Sequence, residues 1–198
     1  DEDGAGYVTA SGSHFGQYVN IDGDEFKDNI LKIKQYRGVA MHPEVDAAIE
    51  DIVNESISIA NDGSTVTINM DNVEISDKIK KNITEEFNNI CVMLKFNELG
   101  HDIFRRWYVD GRIYHHLVVN EANMKMGIQD IRPIDATKIR KVKEIKKKKD
   151  PVTGAELIEK VDEFYIYQDK PGAQKAGVRM SSDSISYITS GILDENRK

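Results

Sequence analysis

Between Phe104 and Asn120 the sequence FRRWYVDGRIYHHLVVN packs adjacent arginines, four aromatic residues, an aspartate-glycine corner and a histidine pair into seventeen positions. Those residue types suit three chemistries. Histidines can hold a metal ion or move a proton, whereas arginine beside an aromatic ring can either grip phosphate and stack on a base or brace a helix against a sheet. Spacing argues against the first. RIYHHLVV is β-rich, and alternation along a strand puts Ile113, His115 and Leu117 on one face and Tyr114, His116 and Val118 on the other. The two histidines therefore diverge, and His14, His42 and His101 are distant in sequence, with no cysteine pattern beside them. Packing or surface hydrogen bonding is the expected histidine role.

Other catalytic signatures are missing from the chain. It contains no phosphate-binding P-loop, dinucleotide glycine fingerprint, nucleophile elbow or HExxH pair. NIDGDEF carries several oxygen ligands without the register of a calcium loop. Asp46 and Glu50 lie four apart on one predicted helix face, but no companion nucleophile marks them as an acid-base pair. Among the arginines, Arg105, Arg106 and Arg112 could reach phosphate and Tyr108 or Tyr114 could stack on a base, yet bracing is the plainer use of such residues. Trp107 reads as a core or interface wedge.

Composition limits the partners. The 198 residues are long enough to bury a sizeable core. A formal charge of -7 argues against a wholesale nucleic-acid coat. Charge is nevertheless regional: Lys138 to Lys149 holds eight basic residues and one acidic residue, whereas Asp1 to Glu25 holds six acidic residues and no lysine or arginine. Lys146, Lys147, Lys148 and Lys149 form the clearest candidate contact for a nucleic acid or an acidic partner, although lysines on a hairpin also keep a sheet edge soluble. The single cysteine, Cys91, excludes an intrachain disulfide framework and points to a reducing interior. No run approaches a membrane span and no signal peptide opens the chain, so a soluble protein is expected. It begins at an aspartate, and its first methionine is Met41, as expected of a segment from a longer product.

The elements that must position these residues follow from periodicity. Residues 1–25 read as an arm, flexible or docking on a neighbour through Tyr7, Phe15 and Tyr18. A helix is expected from Phe26 to about Arg37, with Phe26, Ile30, Ile33 and Tyr36 on one side and Gly38 as its stop. Pro43 opens a second helix whose apolar face carries Val45, Ile49, Ile52, Val53 and Ile57. Val66, Ile68 and Met70 alternate after an Asp-Gly turn and predict an edge strand. A longer helix runs from Ser76 to about Phe96, with Cys91 on its core stripe. Gly100 separates it from a short helix bearing Phe104, Trp107 and Tyr108. Strands follow in RIYHHLVV, IQDIRPID, ATKIRKVKEI and ELIEKVDEFYIYQD, with KKKKDPVTG as a hairpin loop. KPGAQKAGVRM reads as a loop, SSDS as a turn and ISYIT as a last strand. The fold class is α+β, several helices packed on a mostly antiparallel sheet.

YRGVAMHPEVDAAIEDIVNESI, DIFRRWYVDGRIYHHLVV, GIQDIRPIDATKIRKVKEI and EFYIYQD, in that order, resemble the N-terminal and wing portion of the portal vertex protein of T-even-like contractile-tailed bacteriophages. The resemblance covers most of residues 26–193, which implies a wing-like domain over residues 26–198. Phe104, Arg105, Arg106, Trp107, Tyr108, Asp110 and Arg112 match that family's aromatic-basic junction between helix and strand. Ile131, Arg132, Ile134 and Asp135 match the segment that follows. Gly111 and His115 fall where family members differ.

The resemblance implies a structural subunit without catalysis or cofactor, in a ring of twelve subunits at the capsid vertex. Its partners would be other portal subunits, capsid and scaffold proteins, the packaging terminase and neck proteins, with double-stranded DNA as cargo during packaging and ejection. It would reside in the virion, and in host cytoplasm during assembly, with long stem helices and a clip following the portion represented here. Two other function classes stay open: a sequence-independent nucleic-acid-binding module using Lys138 to Lys149, and, behind it, a hydrolase using the histidines.

Overall fold

The computed structural model describes residues 6–10, 24–60, 63–120, 122–149, 156–169 and 177–191. Helices come first. α1 (Asp24–Val39) and α2 (Pro43–Ser56) meet at a tight turn, where His42 is extended and Pro43 opens α2 at a position that needs no amide donor. α3 (Asp77–Met93) and α4 (Phe96–Asp110) follow. Strands make up the second half: β2 (Arg112–Val119), β3 (Ile128–Ile134), β4 (Ile139–Lys149), β5 (Glu156–Tyr167), β6 (Val178–Ser181) and β7 (Ile185–Thr189). Single helical turns at Met124–Met126 and Ser182–Ser184 link some of them. The α+β class expected from the sequence is the class observed.

The strands form two small sheets instead of one set. One has the order β3-β2-β7 and is antiparallel throughout. The other has the order β1-β4-β5-β6, where β1 (Gly6–Ala10) lies parallel to the edge of β4 and the other pairs are antiparallel. Pro133 is accommodated because β3 is an edge strand, with an open side that needs no amide. A core shared by both sheets gathers Tyr114, Ile139, Tyr165 and Ile185 beneath Ile33 of α1. A second cluster joins α2 to α4 through Ile49 and Val53, with Phe104 and Val109 against them.

Several expectations require correction. Gly6–Ala10 is a strand within the expected arm; Phe15, Tyr18 and the side chain of Tyr7 lie outside the described residues. Tyr36 and Ile52 are largely exposed, so α1 and α2 bury narrower faces than their patterns suggest. Val66, Ile68 and Met70 join no described strand; the segment is held by Thr65, whose hydroxyl donates to Asn97 Oδ1 at 2.9 Å. VRMS, read as loop, is the short edge strand β6. Lys146 to Lys149 lie in β4, opposite Lys160, Ile158, Leu157 and Glu156, because the ladder continues to the proline-glycine segment; their side chains lie outside the described residues.

The break between α3 and α4 falls at Lys95, whose φ of 49° is left-handed, and not at Gly100. Gly100 is buried inside α4, where an added Cβ would sit 3.1 Å from the Phe96 ring and 3.5 Å from Ile57. It is therefore a packing residue. α3 also departs from expectation: its apolar stripe predicts a core helix, yet it has no buried residue, and Cys91 is only half-buried.

Candidate functional site

α4 ends at Asp110 because Gly111 takes φ 70°, a left-handed conformation that L side chains resist, and its carbonyl accepts the Ser190 amide at 2.9 Å. The turn feeds directly into β2, so the seventeen residues that drew attention in the sequence become the seam between helices and sheet. On α4, 3.6 residues per turn divides the side chains between two sides. Arg105 and Val109 face α2, whereas Ile103 and Trp107 face the opposite way, toward the β3-β2-β7 sheet.

Ion pairs hold the first side. Arg105 donates from Nη1 to Glu50 Oε1 at 2.7 Å and from Nη2 to Asp46 Oδ1, so the two carboxylates spaced four apart on α2 are claimed by one guanidinium. His101 Nε2 meets Asn54 Oδ1 at 2.8 Å one turn earlier. Phe104 sits between the groups, with the Trp107 ring 5.3 Å away and the Tyr108 ring stacked at 6.4 Å.

The strongest electrostatic feature centres on Arg37, at the end of α1. Its Nε and Nη2 donate to the two carboxylate oxygens of Asp110 at 2.8 and 2.7 Å, and its Nη1 and Nη2 donate to Asp135 at 3.1 and 3.2 Å. Asp110 is 3% exposed, so its charge has little water to rely on and is neutralised by this fork. The Arg37 guanidinium is held protonated, chiefly by its bond to Asp110, against burial and with further help from Asp135. Burial opposes ionisation of Asp135, but bonds from Arg37 and from the hydroxyl and amide of Thr137 prevail and bring its pKa down to about 2. Three segments distant in sequence thus meet at one cation.

On the β2 side the faces divide as alternation predicts. Tyr114 is buried, stacks on Tyr187 at 4.9 Å and meets Tyr165 edge-on at 6.1 Å. Burial raises its phenol pKa, with Tyr187 adding to the effect. Ile113, His115 and Leu117 face an apolar groove of about 520 Å³, opposite Ile103 and Trp107 of α4 and beside Ile90 and Leu94 at the end of α3. Burial lowers the His115 pKa, and the positive charge of Arg106 lowers it further, which favours a neutral imidazole. The indole Nε1–H of Trp107 and the Nε–H of Arg112 are buried and find no acceptor among the described residues.

Of the residues singled out in the sequence, Phe104, Arg105, Arg106, Trp107, Tyr108, Asp110 and Arg112 do lie along one seam. Asp135 joins them through Arg37, Ile134 packs against the shared core, and Ile131 lines the groove. Arg132 does not join them; it pairs at 2.7 Å with Asp130 on the surface. Arg37 was missed. A basic residue in the last turn before Gly38 was its only local signal, and its partners are 73 and 98 positions away. Among the described residues no three metal-ligating side chains cluster, and no helix is long and apolar enough to cross a membrane.

Residues 29–198 match the family described as Bacteriophage T4-like portal protein (Gp20). A relative named Portal protein in Vibrio phage KVP40 is 34% identical, over 81% of this chain and 32% of its own length. Another, named Portal protein in Salmonella phage ViI, is 32% identical, over 81% of this chain and 28% of its own. The chain thus spans less than a third of the length of either relative.

Proposed function

The chain belongs to the bacteriophage T4-like portal protein family, and on that premise we propose that it forms the wing-like lobe of a subunit in a closed, twelve-membered ring at the capsid vertex. The ring serves head assembly and passes double-stranded DNA during packaging and ejection. Capsid and scaffold proteins, the packaging terminase and neck proteins are its partners. It works in the virion after assembling in host cytoplasm, and it carries out no catalysis of its own.

One observation carries this reading for the seam: two of its arginines, Arg37 and Arg105, are spent on carboxylates of the same chain. Arg37 serves Asp110 and Asp135, and Arg105 serves Asp46 and Glu50, which leaves their guanidinium forks committed to joining α1, α2, α4 and the β3–β4 connection. A phosphate-binding or catalytic use would need those donors free. The junction residues act as a brace that lets a lobe transmit load without shearing. A net charge of -7 also suits a conduit that must let DNA slide, since a uniformly basic passage would hold it.

The nucleic-acid-binding alternative rests on the basic run of β4. The register places Lys143 opposite Glu163 and Lys149 opposite Glu156, and Lys141 Nζ lies 3.1 Å from Glu163. The Lys141–Glu163 pair offsets part of that positive charge. Salt-sensitive DNA binding by a monomer, lost on neutralising Lys146 to Lys149, would favour the alternative. The test of the main reading is electron microscopy of the whole purified protein: closed rings with a central hole are expected, and a well-folded protein that makes none under several assembly conditions refutes it.

A further inference from the structure

The groove beside Trp107 is left open by the described residues. Ile90 and Ile188, which line it, are 38% and 51% exposed, so it opens to solvent. Along the same flank of α3, Ile79 and Ile83 are 49% and 38% exposed, and they continue the stripe that ends in Ile90 and Leu94. An amphipathic helix of seventeen residues, none of them buried among the described residues, beside an open apolar groove, has the character of one half of an interface.

The other half lies across the molecule. α2 packs on the side of α4 opposite the groove, and at the tight turn leading into it Met41 is 84% exposed and Val39 52%. The outward face of α2 then repeats Glu44, Ala48, Asp51 and Glu55 at helical spacing, with no basic residue anywhere in the helix. None of those three acids has an ion-pair partner among the described residues. After Asp77, α3 begins with the reverse charge: Lys78, Lys80 and Lys81 surround Ile79, and of the three Lys81 also lies 3.8 Å from Glu85. One flank thus offers an apolar knob and an acidic face, and the other an apolar groove and a basic helix start.

We propose that the groove receives a second copy of this chain, head to tail, with the turn at Met41 entering it and the acidic face of α2 meeting the lysines of α3. Because knob and groove lie on opposite flanks, each added copy leaves one of each free, and the contact repeats until the rotation closes a ring. This inference rests on the ring-subunit reading and names the surfaces that reading needs. The Trp107 ring, the one tryptophan of these 198 residues, lines the groove and reports on it.

The test uses the whole protein with Cys91→Ala and any other native cysteine likewise replaced, and Met41→Cys with Ile83→Cys, both at exposed positions. A short bis-maleimide linker should give a ladder beyond dimers, and neither single-cysteine variant should pass the dimer. With any tryptophan outside these 198 residues replaced by phenylalanine, Trp107 emission should shift to the blue with the same concentration dependence as particle mass. The apolar dye anilinonaphthalene sulfonate should bind the dilute protein and be expelled on assembly. Lys80→Glu should raise the concentration of half-assembly roughly threefold to fivefold, with Glu55→Lys restoring it. Assembly into rings without the ladder, or with the dye still held in the groove, would overturn this interface and leave the ring reading standing; a protein that stays monomeric at every concentration would overturn the ring reading itself.

Discussion

Replacing Arg37 with methionine removes the cation from Asp110 while keeping most of the side-chain stem. The Asp110 side chain is 2% exposed and accepts two bonds, at 2.8 and 2.7 Å, from a guanidinium that is itself 36% exposed. Deleting one partner of a fully buried pair costs about 3–5 kcal/mol, because the remaining charge is stranded. Water reaching the vacated side of Arg37 should reduce this to about 2–3 kcal/mol. For a chain of this length that lowers Tm by roughly 5–10 °C. Thermal and urea unfolding of Arg37→Met, followed by the emission of Trp107, measures it. Asp110→Leu alone should cost less, since Arg37 keeps Asp135, and the double variant should be less destabilised than the sum by at least about 1 kcal/mol. An Arg37→Met protein within about 0.5 kcal/mol of the parent, or strictly additive effects, would refute the clamp as the brace of the seam.

Asp135 ties stability to acid pH. Its folded pKa of about 2 lies below the ordinary aspartate value of about 3.9, so its contribution is full above roughly pH 4 and is lost as pH falls toward 2. Asp135→Asn should flatten that limb by no more than about 1 kcal/mol, since the carboxylate is 38% exposed and screened; an unchanged acid limb in pH-dependent urea unfolding would contradict it. His115 should titrate below the ordinary histidine midpoint in an NMR series, and a midpoint at or above it would mean that the groove is wet. Gly111→Ala should cost about 1–2 kcal/mol in chemical denaturation, because φ 70° strains an L residue, and a neutral result would show that the turn relaxes. Arg105→Ala should cost about 1 kcal/mol and increase hydrogen exchange in α2 first, since its partners there are part-exposed; unaltered exchange in α2 would show that the apolar contacts suffice.

Local features were legible in the sequence. Pro43 and Gly111 marked a helix start and a helix end because each acts through its own backbone, and the alternation of RIYHHLVV put Tyr114 and His115 on opposite faces, which the structure turns to the core and to the groove. What stayed hidden depends on partners far along the chain. Nothing near Arg37 announces Asp110 or Asp135, and nothing in Gly6–Ala10 announces a parallel neighbour more than a hundred residues away. Gly100 looked like a stop because glycine weakens helices, yet the close Phe96 ring and Ile57 make its missing Cβ the reason it fits. The stripe of α3 promised burial that the described residues do not supply. Periodicity reports which face is apolar and is silent on what covers it.

The central claim is that the arginine-aromatic seam is the internal brace of a ring-forming lobe. A side-chain-resolution reconstruction of the assembled whole protein tests it most directly. It should place Arg37 on Asp110 and Asp135, and Arg105 on Asp46 and Glu50, within every subunit of a closed ring, with the seam away from DNA. A ring in which those arginines leave their carboxylates to grip DNA, or a stable particle that is no ring at all, would contradict the account.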